Sequence, residues 1–165
     1  FRSLITETRM TKLLSVVAVI VATLITVSCG QQRESGTFHA VDASGWLYGY
    51  TLFYNLQPID SDSIWHGDIA VAVRHTAAYP YSNIWMELGY NPTDSLPPDT
   101  LNILLADAFG NWQGRGLGLS FQRVDTVLHN LTLKTPTTLS LRHIMRSDRL
   151  PDVEQIGLIF ISNDK

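Results

Sequence analysis

The chain has 165 residues, of which 16% are charged, and its formal net charge at pH 7 is −3. Its basic residues are scattered, which argues against a nucleic-acid-binding protein, because phosphate contacts require a basic patch. There is one cysteine, so no disulfide can form within the chain and its stability must come from core packing. This length and composition fit one folded domain with a sizeable core.

The first thirty residues have the pattern of a secretion signal. Residues 1–9 show no structural pattern, and we interpret them as an upstream extension before a translation start at Met10. Lys12 then precedes an uncharged run, Leu13–Val27, which is too short for a comfortable membrane span. A short positive region followed by a short apolar region is typical of a signal peptide. The sequence therefore predicts a signal peptide over residues 1–28.

Cys29 follows this apolar run, and the residues around it resemble a bacterial lipobox. Acyl chains attached to Cys29 would anchor the protein to a membrane. Gly30 stands where many inner-membrane lipoproteins have Asp, so the predicted location is the outer membrane, on its periplasmic side. The polar residues that follow predict a lipidated cysteine and flexible tether over 29–45, and a folded domain over 46–165.

Removal of residues 1–28 takes away three of the twelve basic residues and one of the fifteen acidic residues. The predicted mature chain therefore has nine basic and fourteen acidic residues, which is a formal charge of −5. This negative charge again disfavours nucleic acid as a partner.

Most of the predicted domain alternates between apolar and polar residues with a period of two, which predicts half-buried strands. The apolar positions are Tyr48, Tyr50, Leu52, Tyr54 and Leu56; Ile69, Val71 and Val73; Ile84, Met86, Leu88 and Tyr90; and Leu101, Ile103 and Leu105. Two further strands are predicted over Thr138–Met145 and Gln155–Ser162. The last is apolar on both faces, which favours a central strand.

Pro, Gly, Asn and Asp separate these strands, as in the predicted turn at Asp60–Ser63. Short strands divided by such residues indicate an antiparallel fold. The sequence therefore predicts an all-β protein, a single antiparallel β-sandwich of jelly-roll type.

A glycine-dense bend follows the strand that ends near Leu105. Asp107 and Gly110 suit the first and last positions of a type I turn. Glycines at 114, 116 and 118 leave a strip of backbone with little side chain. This pattern predicts that another backbone segment, or an aromatic ring such as that of Trp112 or Phe121, packs closely against the strip. We reject a phosphate-binding loop, because no Lys-Ser/Thr pair or amphipathic helix follows the glycines.

Few residues suggest a chemistry. The five histidines lack zinc-hydrolase spacing, and His75 and His143 are interpreted as solvent-facing or edge residues. Ser120 follows Gly118 but lacks the second glycine of a nucleophile elbow, two residues further on. The acidic residues at 60 and 62 are not followed by the Gly and Glu of a calcium loop at the required positions. We therefore predict no catalytic residue, metal or cofactor.

The aromatic residues allow two interpretations. Large rings are the simplest source of core stability in a domain without disulfides. The same rings could form a carbohydrate-stacking platform on one face of a sandwich. The residues concerned are Trp46, Trp65, Trp85, Trp112, Tyr79 and Tyr81.

Several motifs together resemble the GldH family of gliding-motility lipoproteins from Bacteroidota. They are the lipobox at Cys29, Tyr79-Pro-Tyr-Ser-Asn-Ile-Trp85, Leu105-Ala-Asp-Ala-Phe-Gly-Asn-Trp112, Gly114-Arg-Gly-Leu-Gly118 and Leu150-Pro151. The resemblance implies a lipid-anchored accessory protein of the cell envelope, linked to gliding and to type IX secretion, and no enzyme.

We accordingly expect the protein to act by contact with envelope proteins of the gliding or secretion apparatus. The candidate interaction residues in its two loops are Tyr79, Tyr81, Asn83, Trp85, Asp107, Trp112 and Arg115. Each of them also has a structural interpretation, since turns and aromatic plugs hold such a fold together. The alternative function is a carbohydrate-binding lipoprotein.

Overall fold

A computed structural model describes residues 33–58, 64–92 and 95–163. These residues form eleven strands: β1 (Glu34–Ala40), β2 (Trp46–Leu47), β3 (Leu52–Leu56), β4 (Ile64–Thr76), β5 (Asn83–Gly89), β6 (Asp99–Leu104), β7 (Arg115–Leu117), β8 (Ser120–Lys134), β9 (Thr137–His143), β10 (Arg149–Leu150) and β11 (Val153–Ser162). Among these residues, none forms a helix long and apolar enough to span a membrane.

The strands build two main antiparallel sheets. One has five strands in the order β1-β11-β4-β8-β7, and the other has four in the order β3-β9-β5-β6. A small pair, β2 and β10, lies apart from both. The predicted all-β antiparallel sandwich is confirmed.

One hydrophobic core lies between the two sheets. Ile84, Met86 and Leu88 on β5 are fully buried, and so are Ile69 and Val73 on β4. The predicted alternation is therefore confirmed for β5, whereas β4 is buried on both faces here, because Ala70 and Ala72 are buried as well. The sheets are also joined by a hydrogen bond in which the buried hydroxyl of Tyr54 donates to the Ile156 carbonyl at 3.0 Å.

The first predicted strand begins later than expected. Leu52 and Tyr54 are buried in β3, but Tyr48 and Tyr50 are exposed. Tyr48 and Tyr50 instead belong to a turn over residues 47–50, in which Gly49 has φ +82° and the Tyr50 amide donates to the Leu47 carbonyl at 3.1 Å. The local alternation of residues does not reveal this turn.

The prediction of a tether over 29–45 is wrong for Glu34–Ala40. These residues form β1, which pairs with β11 along its whole length. Phe38 lies directly opposite Gly157, and its ring occupies the space that a side chain at 157 would fill. Cys29, the signal peptide and the predicted turn at Asp60–Ser63 lie outside the described residues.

The strand registers define two ends of the sandwich. Glu34 pairs with Ile161 at one end, and Val153 pairs with His75 at the other. Asn83 and Leu104 are paired at this second end too, beside the start of β8. We call this second end the loop end; it consists of residues 41–51, 76–82, 105–119 and 144–152. β1 starts at the first end, so Glu34 lies at the end of the sandwich opposite the loop end.

Candidate interaction surface

Both loops predicted to carry interaction residues lie at the loop end, and they are bonded to each other. The Ser82 carbonyl accepts hydrogen bonds from the amides of Leu105, at 2.8 Å, and Ala106, at 3.0 Å. Tyr79 closes the first loop, because its hydroxyl donates to the Asn83 carbonyl at 3.1 Å. The two loops therefore form one connected surface.

The predicted turn at Asp107 is present. The Gly110 amide donates to the Asp107 carbonyl at 3.1 Å, and the Asp107 carboxylate accepts from the amides of Phe109, at 2.8 Å, and Asn111, at 2.9 Å. These hydrogen bonds, foremost those from Asn111, lower the pKa of Asp107. The turn is thus held from its first residue, and it presents Phe109 with 91% of its surface exposed.

An aromatic cluster lies beneath the two loops. His75 is the centre of this cluster; its ring centroid lies 4.6 Å from that of Trp112, 5.5 Å from that of Tyr79 and 5.9 Å from that of Phe121. Tyr79 belongs to the first loop and Trp112 to the second. Their shared contact with His75 fixes the relative position of the loops.

The prediction that His75 and His143 face solvent is wrong, because both side chains are fully buried. His75 Nδ1 lies 2.9 Å from the Thr76 carbonyl oxygen, and His143 Nε2 lies 3.0 Å from that of Trp46. The second ring nitrogen of each has no hydrogen-bond partner within the described part of the chain. This arrangement suits neutral imidazoles, whose second nitrogen carries no proton.

Burial lowers the pKa of both histidines, and the hydrogen bonds to Thr76 and Trp46 oppose it only in part. The unfolded chain therefore takes up protons below its ordinary histidine pKa of about 6.5, where the folded chain does not. We expect the free energy of unfolding to be level above pH 7 and to fall as the pH drops below about 6.5.

Urea unfolding of the purified protein between pH 8 and pH 5 checks this expectation. Asp68 and Asp107 also have lowered pKa values, but carboxylates lose their stabilising contribution only as the pH falls through and below their ordinary value of 3.8. The decline above pH 5 thus reports the histidines. An unfolding free energy that stays constant from pH 7 to pH 5 would contradict the buried neutral state of both rings.

The glycine strip is approached closely, as predicted. A side chain at Gly114 would overlap the Gln122 backbone, and Gly114 also has φ +97°. At Gly116 a Cβ would meet the Phe121 ring at 3.1 Å. Gly118, with φ +65°, serves instead to turn the chain between β7 and β8.

The structure divides the predicted interaction residues into two groups. Tyr79 is buried, Trp112 is half-buried and Asp107 holds a turn, so these three organise the surface. Tyr81, Asn83 and Trp85 instead line a shallow cavity of about 440 Å³, and Arg115 is exposed beside a second cavity. Tyr81 and Trp85 are 39% and 41% exposed.

The six aromatic residues considered for a sugar platform also differ in burial. Trp46, Trp65 and Tyr79 are buried, which confirms the core interpretation for these three. The Trp65 ring packs edge-on against Phe160 at 5.8 Å. Only Tyr81 and Trp85 of the six are exposed, so a platform of all six rings does not exist.

Several exposed side chains at the loop end are absent from the predicted list. They include Phe109, Leu119, Tyr48 and Tyr50. A signal for Phe109 was present, since the third position of a tight turn points outward and the turn itself was predicted. Leu119 lies in the short connection between β7 and β8, which sequence alone did not indicate.

Within the described residues, no group of three or more His, Cys, Asp or Glu side chains is placed to hold a metal ion. The exposed residues of the loop end include six large apolar side chains among polar and charged ones: Leu47, Tyr48, Tyr50, Tyr81, Phe109 and Leu119. Such a surface can bind through apolar contact and shape.

Comparison with known proteins identifies the family. The model of the GldH lipoprotein family matches residues 35–159. The chain belongs to the GldH lipoprotein family. Membership implies an association with gliding motility and a lipid-anchored place in the cell envelope. No curated protein matches the chain.

Solved structures share only the β-rich fold with this GldH-family chain. An exo-β-1,3-galactanase from Phanerochaete chrysosporium, solved with galactose, is 14% identical with a TM-score of 0.38; the match covers 78% of this chain and 27% of the enzyme. This chain therefore spans about a quarter of the galactanase. A family 35 carbohydrate-binding module from Clostridium thermocellum is 13% identical with a TM-score of 0.34, and the match covers 76% of this chain and 89% of the module.

Proposed function

We propose that this protein is a non-enzymatic lipoprotein, anchored through Cys29, that acts in the gliding and secretion-linked machinery by binding an envelope protein with its loop end. The observation that carries this proposal is the position of its exposed hydrophobic side chains. Thirteen large ones are exposed in the described residues, and the two most exposed, Phe109 and Leu119, both lie at the loop end. Leu47, Tyr48, Tyr50 and Tyr81 lie there too.

The loop end is built to present these side chains in a fixed position. Phe109 is on a turn held by Asp107, and Tyr81 packs edge-on against the buried Tyr79 ring at 5.8 Å. Preorganised aromatic side chains lose little conformational entropy on binding and are enriched among the residues that dominate interface energies. Exposed apolar groups on a rigid frame are thus better suited to a partner than to solvent.

The position of the predicted lipid anchor is consistent with partner binding by the loop end. Five residues at full extension reach at most about 17 Å, so a lipid on Cys29 would lie close to the start of β1 at Glu34. Since β1 starts at the end of the sandwich opposite the loop end, the loop end is the part available to a partner beyond the anchoring membrane.

A matched pair of substitutions tests the proposal. Phe109→Asp places a charge on the exposed ring position of the loop end, whereas Phe53→Asp makes the same change at a Phe that is 60% exposed on β3. We expect chemical crosslinking and affinity capture from the host envelope to recover partner protein at least about tenfold less well with Phe109→Asp, because a hot-spot residue contributes about 2 kcal/mol or more and about 1.4 kcal/mol is already a factor of ten.

The control Phe53→Asp should capture as much partner as the wild type, and both variants should retain the wild-type melting temperature. Equal loss of capture in both variants would contradict a role for the loop end. A Cys29→Ala variant, compared in parallel, tests whether capture requires the lipid anchor.

A second candidate function is carbohydrate binding, which the cavity lined by Tyr81, Asn83 and Trp85 favours. An aromatic face beside amide groups suits a sugar ring. In the structure the Asn83 side chain is occupied, because its Nδ2 donates to Asn102 Oδ1 at 2.7 Å. Titration of tryptophan fluorescence with soluble neutral polysaccharides tests this candidate. It fails if no saturable change occurs, or if Trp85→Ala leaves the change intact.

A further inference from the structure

A cavity of about 540 Å³ lies along β7 at the edge of the five-stranded sheet. Its lining contains three arginines, Arg74, Arg115 and Arg123, together with Ser120 and Gln122, and it contains no acidic residue. This concentration of positive charge is notable because the predicted mature chain carries a formal charge of −5. Arg74 and Arg123 are paired with Glu154 and Asp125, so the positive charge left to meet an external anion comes from Arg115.

The strand registers place two of the arginines on one face of the sheet. Gln122 on β8 pairs with Arg74 on β4 and with Arg115 on β7. Directly paired residues of antiparallel strands point to the same face, so Arg74, Gln122 and Arg115 leave one face of the sheet, whereas Arg123, the next residue on β8, leaves the other. Neighbouring strands are about 4.8 Å apart, so the Cα atoms of Arg74 and Arg115 are separated by about 10 Å.

The charges of the three arginines are balanced to different extents. Arg74 Nε donates to Glu154 at 3.1 Å, and the other Glu154 oxygen accepts from Ser120 Oγ at 3.0 Å. Arg123 lies 3.4 Å from Asp125. Arg115 forms no ion pair with any residue that the structure describes, and its side chain is exposed. Arg115 is thus the guanidinium that can pair with an external anion, whereas Arg74 is already paired with Glu154.

We infer that this cavity binds carboxylate groups of an acidic, extended segment of a protein partner. A guanidinium forms paired, charge-assisted hydrogen bonds with a carboxylate. β7 is the edge strand of its sheet, and an extended segment can add to such an edge through backbone hydrogen bonds. That the carboxylates come from a protein rests on the proposed function, whereas the anion site itself rests on the arginines alone.

Fluorescein-labelled hexaglutamate, titrated with the full-length protein in non-ionic detergent and followed by fluorescence anisotropy, tests the site. We expect saturable binding that weakens as salt is added, because exposed charges are screened. Arg115→Gln should weaken binding about tenfold, because the variant loses the charge-assisted hydrogen bonds of the guanidinium. Lys134→Gln removes the same charge from an exposed residue at the opposite end and should leave binding unchanged.

Three results would overturn the inference: no binding of hexaglutamate at low salt, equal binding by wild type and Arg115→Gln, or displacement of the peptide by inorganic phosphate but not by free glutamate polymer. The outcome is independent of the loop-end test. If Phe109→Asp captures partner normally while hexaglutamate binding still requires Arg115, the loop-end proposal fails and the anion site stands. If Phe109→Asp loses partner capture while Arg115→Gln binds hexaglutamate as the wild type does, only the anion site is removed.

Discussion

Gly67→Ala is expected to destabilise the domain by about 3 kcal/mol, near the upper end of the range for overpacking a core. Gly67 is buried on β4 and has neighbours on both sides, because it pairs with Leu131 on β8 and with Ser162 on β11. A Cβ at this position would overlap the Ile161 carbonyl oxygen and would lie 2.5 Å from the Trp65 ring. Neither the hydrogen-bonded backbone nor the buried ring can move without disturbing other contacts.

Thermal unfolding measures this effect, and a loss of this size lowers the melting temperature by about 10 °C. Gly36→Ala is the matched control on edge strand β1. There the new Cβ would meet only the movable side chains of Ile159 and Phe38, each at 3.3 Å. We expect a change within about 1 kcal/mol. Equal melting temperatures for the two variants would show that β4 does not pack between its neighbours as described.

Trp112→Ala and Trp85→Ala are expected to separate structural from interacting residues. Trp112 is half-buried against His75 and joins the two loops, so its loss should cost about 2 kcal/mol, below the 3–5 kcal/mol typical of a fully buried Trp. Trp85 is 41% exposed, and its truncation should change stability by less than about 1 kcal/mol.

Partner capture should fall in both variants but for different reasons. Trp112→Ala loosens the loop end, whereas Trp85→Ala removes a ring from the cavity that Trp85 lines together with Tyr81 of the loop end. The combined readout is the melting temperature together with the yield of crosslinked partner from the envelope. If Trp85→Ala lowers the melting temperature as much as Trp112→Ala does, the division of the predicted residues into two groups is wrong.

The sandwich could be predicted because burial leaves a local signature in most of its strands. Ile84, Met86 and Leu88 are buried and alternate with Trp85 and Glu87, since one face of β5 meets the core and the other meets solvent. The strand β1 has no such signature. Its residues are mostly exposed on both faces, and its conformation depends on pairing with β11, more than one hundred residues away.

The sequence predicted which loops carry the candidate surface, but not which of their side chains are buried and which are exposed. Asp107 and Gly110 specify a turn through their own chemistry, and this turn is present. The burial of His75 and Tyr79 depends on rings contributed from β8 and the second loop, so no local pattern reports it. The same non-local packing decides that Trp112 supports the surface while Trp85 remains exposed.

Site-specific photocrosslinking in the host tests the central claim most directly. A photoreactive phenylalanine analogue is placed at Phe109, at Phe53 on the four-stranded sheet, or at Ile64 near the opposite end, all three of which are exposed. We predict that position 109 forms a crosslink to one envelope protein, and that positions 53 and 64 do not. Crosslinking of that protein from position 64 or 53, with none from position 109, would contradict the loop end as the partner-binding surface.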